Sequence, residues 1–131
     1  LDDTRLTRLQ NIATRGFIGT GDQVLIGGLI ISGQESKKVV IRAKGPSLAE
    51  AGVPNVLEDP ELFLFSGANR IDENNNWRDH QNMGSIPIEL QPSDDREATI
   101  SRELTPGAYT VIVTGVLMSS GIGIVEVFEI Q

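Results

Sequence analysis

The chain has 131 residues, no cysteine, and eighteen acids against eleven bases, for a net charge of −7. That length suits one domain with its own core. The lack of cysteine excludes disulfides and thiolate metal sites, and the acidic balance argues against nucleic-acid binding, which needs clustered Lys and Arg.

In chain order, "TRLTRLQNIATR" (4–15) comes first and places Leu6, Leu9 and Ile12 three residues apart among Arg5, Arg8 and Arg15. This spacing fits neither strict strand alternation nor a capped helix, so residues 1–15 are expected to be a first strand or an arm that pairs with another copy. The segment "QVLIGGLIIS" (23–32) reads as one or two buried strands, with Gly27-Gly28 as a bulge or bend. In "KKVVIRAK" (37–44), Val39, Ile41 and Ala43 alternate against Arg42 and Lys44, as on a half-buried strand. "GPSLAEAGVP" (45–54) suits a short helical turn, with Pro46 at its first position and Gly52 near its end. "ELFLFS" (61–66) is apolar on both faces, which suits a central strand.

"EATISREL" (97–104), "GAYTVIVTG" (107–115) and "IGIVEVFEI" (122–130) follow at the spacing of an antiparallel sandwich. Tyr109 is expected to pack at a strand start, its hydroxyl bonded to nearby backbone as in a tyrosine corner. No run approaches the roughly 20 apolar residues of a membrane-crossing helix, so membrane insertion is not expected. The reading is therefore all-β: a single antiparallel two-sheet β-sandwich over 1–131, Ig-like or jelly-roll-like, with about seven to nine strands.

The stretch "IDENNNWRDH" (71–80) holds the only Trp and the only His. Its alternate oxygens at Asp72, Asn74 and Asn76 match the first three ligand positions of an EF-hand loop. The template then fails, because Trp77 replaces the turn glycine and Met83 the closing Glu. A plain Asx-rich turn is the stronger expectation. No cofactor is expected; calcium at Asp72, Asn74 and Asn76 is the one candidate. Trp77, with Asp79 beside it, is the candidate ligand-binding pair, since an aromatic face suits the C–H patch of a sugar ring. The competing reading makes Trp77 a lid on the core.

No catalytic residues are expected. Ser47 in "GPSLA" lacks the second glycine of the nucleophile elbow G-x-S-x-G, and His80 would be the only conventional base. Ser47 is better read as a turn or cap hydroxyl. "GFIGTGD" (16–22) lacks the G-K-[ST] ending of a phosphate-binding loop.

Several runs together resemble a recurring module of secreted bacterial proteins: "NIATRG" (11–16), "VVIRAKGPSL" (39–48), "LEDPELFLF" (57–65), "NNNW" (74–77), "LTPGAYTVIVTG" (104–115) and "GIVEVFE" (123–129). They keep the module's order over nearly the whole chain. The chain departs from it at Ala13, where serine is usual, and at Asn75, where aspartate often stands. The resemblance implies an extracytoplasmic β-sandwich, exported from a bacterium and appended to larger secreted or cell-surface proteins, with no catalytic residues to transfer. The charge is uneven along the chain: +2 over residues 1–50 (seven bases, five acids) and −9 over 51–131 (four bases, thirteen acids). The expected function is non-enzymatic and structural, with other copies of the chain or neighbouring domains as partners through Leu6, Leu9 and Ile12, in the limit a filament subunit. A module binding polysaccharide through the Trp77 loop is the alternative.

Overall fold

The computed structural model describes the backbone of residues 10–130 and the side chains of 13–130. Eight strands form: β1 (Gln10–Ile18), β2 (Leu25–Ile31), β3 (Lys37–Lys44), β4 (Pro60–Ser66), β5 (Asn69–Asn74), β6 (Ala98–Leu104), β7 (Gly107–Gly115) and β8 (Gly121–Ile130). They make two four-stranded sheets, β1-β8-β3-β6 (sheet A) and β2-β7-β4-β5 (sheet B), in which every pairing is antiparallel. Successive strands switch sheets except at the β4–β5 hairpin. That is the order of an eight-stranded jelly roll, which decides between the two sandwich types expected.

Alternation places the core. Val39, Ile41 and Ala43 of β3 meet Leu62 and Leu64 of β4, Ile100 of β6, Val111 and Val113 of β7, and Val125 and Val127 of β8, all buried between the sheets. Burying each such side chain contributes roughly 1.5–3 kcal/mol, which makes this layer the dominant stabilising term. Tyr109 is buried at the start of β7, and its hydroxyl donates to the Thr105 carbonyl at 2.6 Å, the expected corner. The 3-10 turn Pro46–Ala51 ends on Gly52 in the left-handed region (φ 89°), as its sequence predicts.

Two expectations are corrected. Gly27-Gly28 is no bulge, since β2 pairs with β7 in unbroken register from Leu25↔Val113 to Ile31↔Gly107. Gly27 faces the core instead, where a Cβ would stand 3.3 Å from Val111 Cγ2. Residues 69–74 form a strand and not a turn, because β4 supplies a pairing edge that their polar side chains do not advertise. β1 pairs within its own domain along β8, with Ile12 opposite Val127. Its first-strand reading therefore holds for residues 10–15, while Leu6 and Leu9 lie outside the described residues.

The segment 75–96 folds into three 3-10 turns, Trp77–Asp79, Met83–Ser85 and Ile88–Leu90, laid over the outer face of sheet A. There Trp77, Ile86 and Leu90 bury Val40 and Phe128, the outward residues of β3 and β8, in a second apolar cluster. Among the described residues no helix is long and apolar enough to cross a membrane.

Candidate functional site

The chemistry-bearing residues collect at one end of the sandwich, where edge strands β5 and β6 face each other. Asp72 projects from β5 toward β6. Its carboxylate accepts from His80 Nε2 at 3.0 and 3.1 Å, while Arg102 donates to the Ile71 carbonyl at 3.1 Å and approaches Asp72 at 3.4 Å. His80 is buried, and its Nδ1 accepts from the Asn82 N–H at 3.2 Å. In this network Nε2 is the donor to Asp72 and Nδ1 the acceptor from Asn82. Burial works against the Asp72 charge, but the His80 hydrogen bond, the Glu73 N–H and the Arg102 guanidinium together hold its carboxyl below the usual value of 3.8.

Ser47 is elsewhere. Its hydroxyl donates to Glu97 Oε2 at 2.5 Å, and the same oxygen accepts the Ser47 and Gly45 N–H groups at 2.8 and 3.1 Å. Glu97 is fully buried and had no sequence signal: it heads an ordinary strand, and its partners lie 50 and 52 residues away. Ser47 and His80 thus each belong to a separate structural network and do not form a nucleophile–base pair.

The residues named for calcium are also engaged. Asp72 is held as above. Asn74 donates to the Asn76 carbonyl at 2.9 Å and accepts from the Thr99 N–H at 2.9 Å. Asn76, in the orientation that satisfies its amide, donates to the carbonyls of Asn75 and Asp95 at 2.9 and 3.3 Å. Each of the three side chains is thus engaged by protein groups.

Beside them, a polar cleft of about 240 Å³ is lined by Glu61, Glu73, Asn74, Asn75 and Asp79. Burial, then Glu73 and Asp59, raise Glu61 above its usual 4.5 against the opposing charge of Arg70. The cleft is therefore electronegative. Yet among the described residues no three acidic or His side chains come close enough to share one metal ion.

Trp77 is 2% exposed, seated on Val40 and Phe128, with the Arg78 guanidinium 4.5 Å from its ring centre. The lid reading is the one observed; a ring covered in this way offers a sugar no face to stack on. Asp79 is exposed on the rim of the acidic cleft.

The edges differ in how they are closed. Along β6 and just before it, three outward backbone groups are met: Glu97 O by Trp77 N–H at 2.9 Å, Thr99 N–H by Asn74 Oδ1, and Ser101 O by Asn82 Nδ2 at 3.0 Å. Edge β5 carries Arg70, Asp72 and Glu73, and its pairing with β4 is broken by a shift between Leu64 and Phe65. Edge β1 carries Arg15. Edge β2, sequence LIGGLII, has no charge, proline or register shift. Beside it the outer face of sheet B is apolar near β2, with Ile26 and Ile30 57% and 77% exposed and Ile112 half-buried, while toward β5 Phe63 lies under the Arg70 guanidinium beside the acidic cleft.

No protein-family model matches the chain, and no curated protein does. Among solved structures, it is similar to the pre-peptidase C-terminal domain of collagenase from Bacillus anthracis. The two share a TM-score of 0.55 and 13% identity over 89% of this chain and 88% of that one. At that identity the likeness establishes the fold: a two-sheet antiparallel β-sandwich shared over nearly the full length of both chains.

Proposed function

We propose that this chain is a non-enzymatic, extracellular structural module of an exported bacterial protein, and that it joins copies of itself. The apolar β2 side of sheet B, uncovered among the described residues, carries the reading. A sandwich normally hides or charges its outer faces and edges. This one covers sheet A with its own 75–96 segment and leaves Ile26 and Ile30 in solvent on sheet B. Two likenesses support export and the accessory role: the resemblance to modules of secreted bacterial proteins, and the shared fold with a pre-peptidase C-terminal domain of a collagenase. The residues with catalytic chemistry agree, since Ser47, His80, Asp72 and Glu97 are each held by structural partners. Assembly proceeds through open sheet surface and not by donation of residues 10–18, which are paired at home.

The test is light scattering on the intact 131-residue chain over a wide concentration range, beside ester, peptide and glycoside substrates. Concentration-dependent association without turnover is the expected result. A strict monomer at every concentration overturns self-association, and turnover abolished by Ser47→Ala or His80→Ala overturns the non-enzymatic reading.

A further inference from the structure

We infer that edge strand β2 pairs antiparallel with β2 of a second copy across a two-fold axis, joining the two B sheets into one eight-stranded sheet. The inference rests on the self-association reading above and specifies its surface. Three observations carry it.

First, the β2 edge is open. Among the described residues, β7 is the only strand paired with it, and no loop or side chain is hydrogen-bonded to its backbone, whereas β6 is met at Thr99 and Ser101, and Glu97 just before it is met as well. An open edge of unpaired N–H and C=O groups is a template for another strand.

Second, β2 is self-complementary. With Gly28 on the two-fold axis, Ile26 faces the second copy's Ile30, Gly27 its Leu29, and Leu25 its Ile31. Every pair is apolar, and Gly27 leaves room opposite Leu29. Side-chain period keeps the faces matched: Ile26 and Ile30 are both outward and exposed, while Leu25, Leu29 and Ile31 are buried. The two Ile26–Ile30 contacts would extend the apolar strip of Ile112 and Phe63 continuously across the axis.

Third, charge selects this edge. Each copy carries −7, so a contact between copies is favoured where no like charges meet. β2 is the edge without an ionisable residue, while β1, β5 and β6 carry Arg15, Arg70, Asp72, Glu73, Arg102 and Glu103. The two-fold contact is isologous and closes at the dimer. A single strand pair is small beside the about 800 Å² per partner of a standard interface, so the dimer is concentration-dependent.

The chain's lack of cysteine makes single-cysteine reporters clean. Gly28→Cys is tolerated locally, because a Cβ there has no neighbour nearer than the Tyr109 carbonyl at 3.9 Å. Under mild oxidation it should give a disulfide-linked dimer in high yield, while Ile30→Cys, four residues from its own counterpart in this register, should not. Ile26→Lys with Ile30→Lys places lysine opposite lysine twice, and is expected to weaken dimerisation at least tenfold. It does so while lowering net charge from −7 to −5, so general repulsion cannot explain the loss. Far-ultraviolet circular dichroism confirms that the variant folds, and Leu117→Lys, 95% exposed at the β7–β8 tip, serves as the control that keeps the dimer. If the chain associates but Gly28→Cys does not cross-link and the double lysine variant associates normally, the β2 interface is overturned while self-association stands. If the chain is monomeric throughout, both fall.

Discussion

On sheet A, Val40 and Phe128 point outward and are buried; on sheet B, Ile26 and Ile30 point outward and are exposed. The strands are alike in composition, and each sheet presents apolar residues on both sides. The difference is the 75–96 segment, which brings Trp77, Ile86 and Leu90 over one sheet and has no counterpart over the other among the described residues. The same segment, through Trp77 and Asn82, and Asn74 at the end of β5 bond backbone groups on the β6 side, while among the described residues nothing is hydrogen-bonded to the outer edge of β2. Covered surface of this kind contributes stability, and uncovered surface is available for association.

The strongest way to break the comparison is to remove the cover. Trp77→Ala should strip the centre of the second cluster and cost about 3–5 kcal/mol, read as a lower midpoint in urea unfolding. The variant should also bind more of a hydrophobic dye in the native baseline, since Val40 and Phe128 lose their lid. An unchanged midpoint would mean that the 75–96 segment is held by its hydrogen bonds alone.

A smaller effect is expected where the cover is latched to β5. Asp72→Asn should cost about 1 kcal/mol at neutral pH, as a charged acceptor for His80 and Arg102 becomes a neutral one. The Asp72 carboxyl is held below its unfolded value of 3.8, so its contribution is present above that pH and lost as pH falls through the depressed folded value. The stability gap between the parent and Asp72→Asn should therefore be constant from neutral pH to about 4 and should close below it. A gap independent of pH in acid would remove the charge from the explanation.

The smallest effect belongs to sheet B. Glu61 is raised above 4.5 by burial and by Glu73 and Asp59, so its ionised form opposes folding at neutral pH. Glu61→Gln should stabilise by about 0.5 kcal/mol or less after solvent screening. The gain should fade as pH falls through the raised folded value toward 4.5, where the parent carboxyl protonates by itself. Thermal melts at neutral pH and at pH 4 separate these cases, and a loss of stability at neutral pH would contradict the crowding of acids in the cleft.

Much of the architecture was legible because its signals are local. Alternation in 37–44, the short apolar run of 61–66 and the spacing of 97–104, 107–115 and 122–130 place those strands, Pro46 and Gly52 bracket the helical turn of 45–54, and Tyr109 beside "TPG" foretells its corner. Strand β5 was not legible. "NRIDEN" is polar throughout, and its strand geometry comes from β4 and not from its own pattern. Gly27 looked like a bend because a glycine inside a strand has several uses, and the approach of Val111 cannot be read from a neighbouring residue.

The candidate site was legible in part. The sequence by itself determined that Trp77 and His80 share a stretch with Asp72, and that Ser47 has no conventional catalytic setting, because short motifs either fit a geometry or fail it. Only the tertiary structure decided that Asp72 turns to His80 and Arg102, that Glu97 anchors Gly45 and Ser47, and that Trp77 lies under Arg78 and not in solvent. It also decided that, among the described residues, nothing bonds the outer edge of β2. Strand order and the path of a covering loop depend on contacts between residues tens of positions apart, and local composition carries no record of which distant surface each will meet.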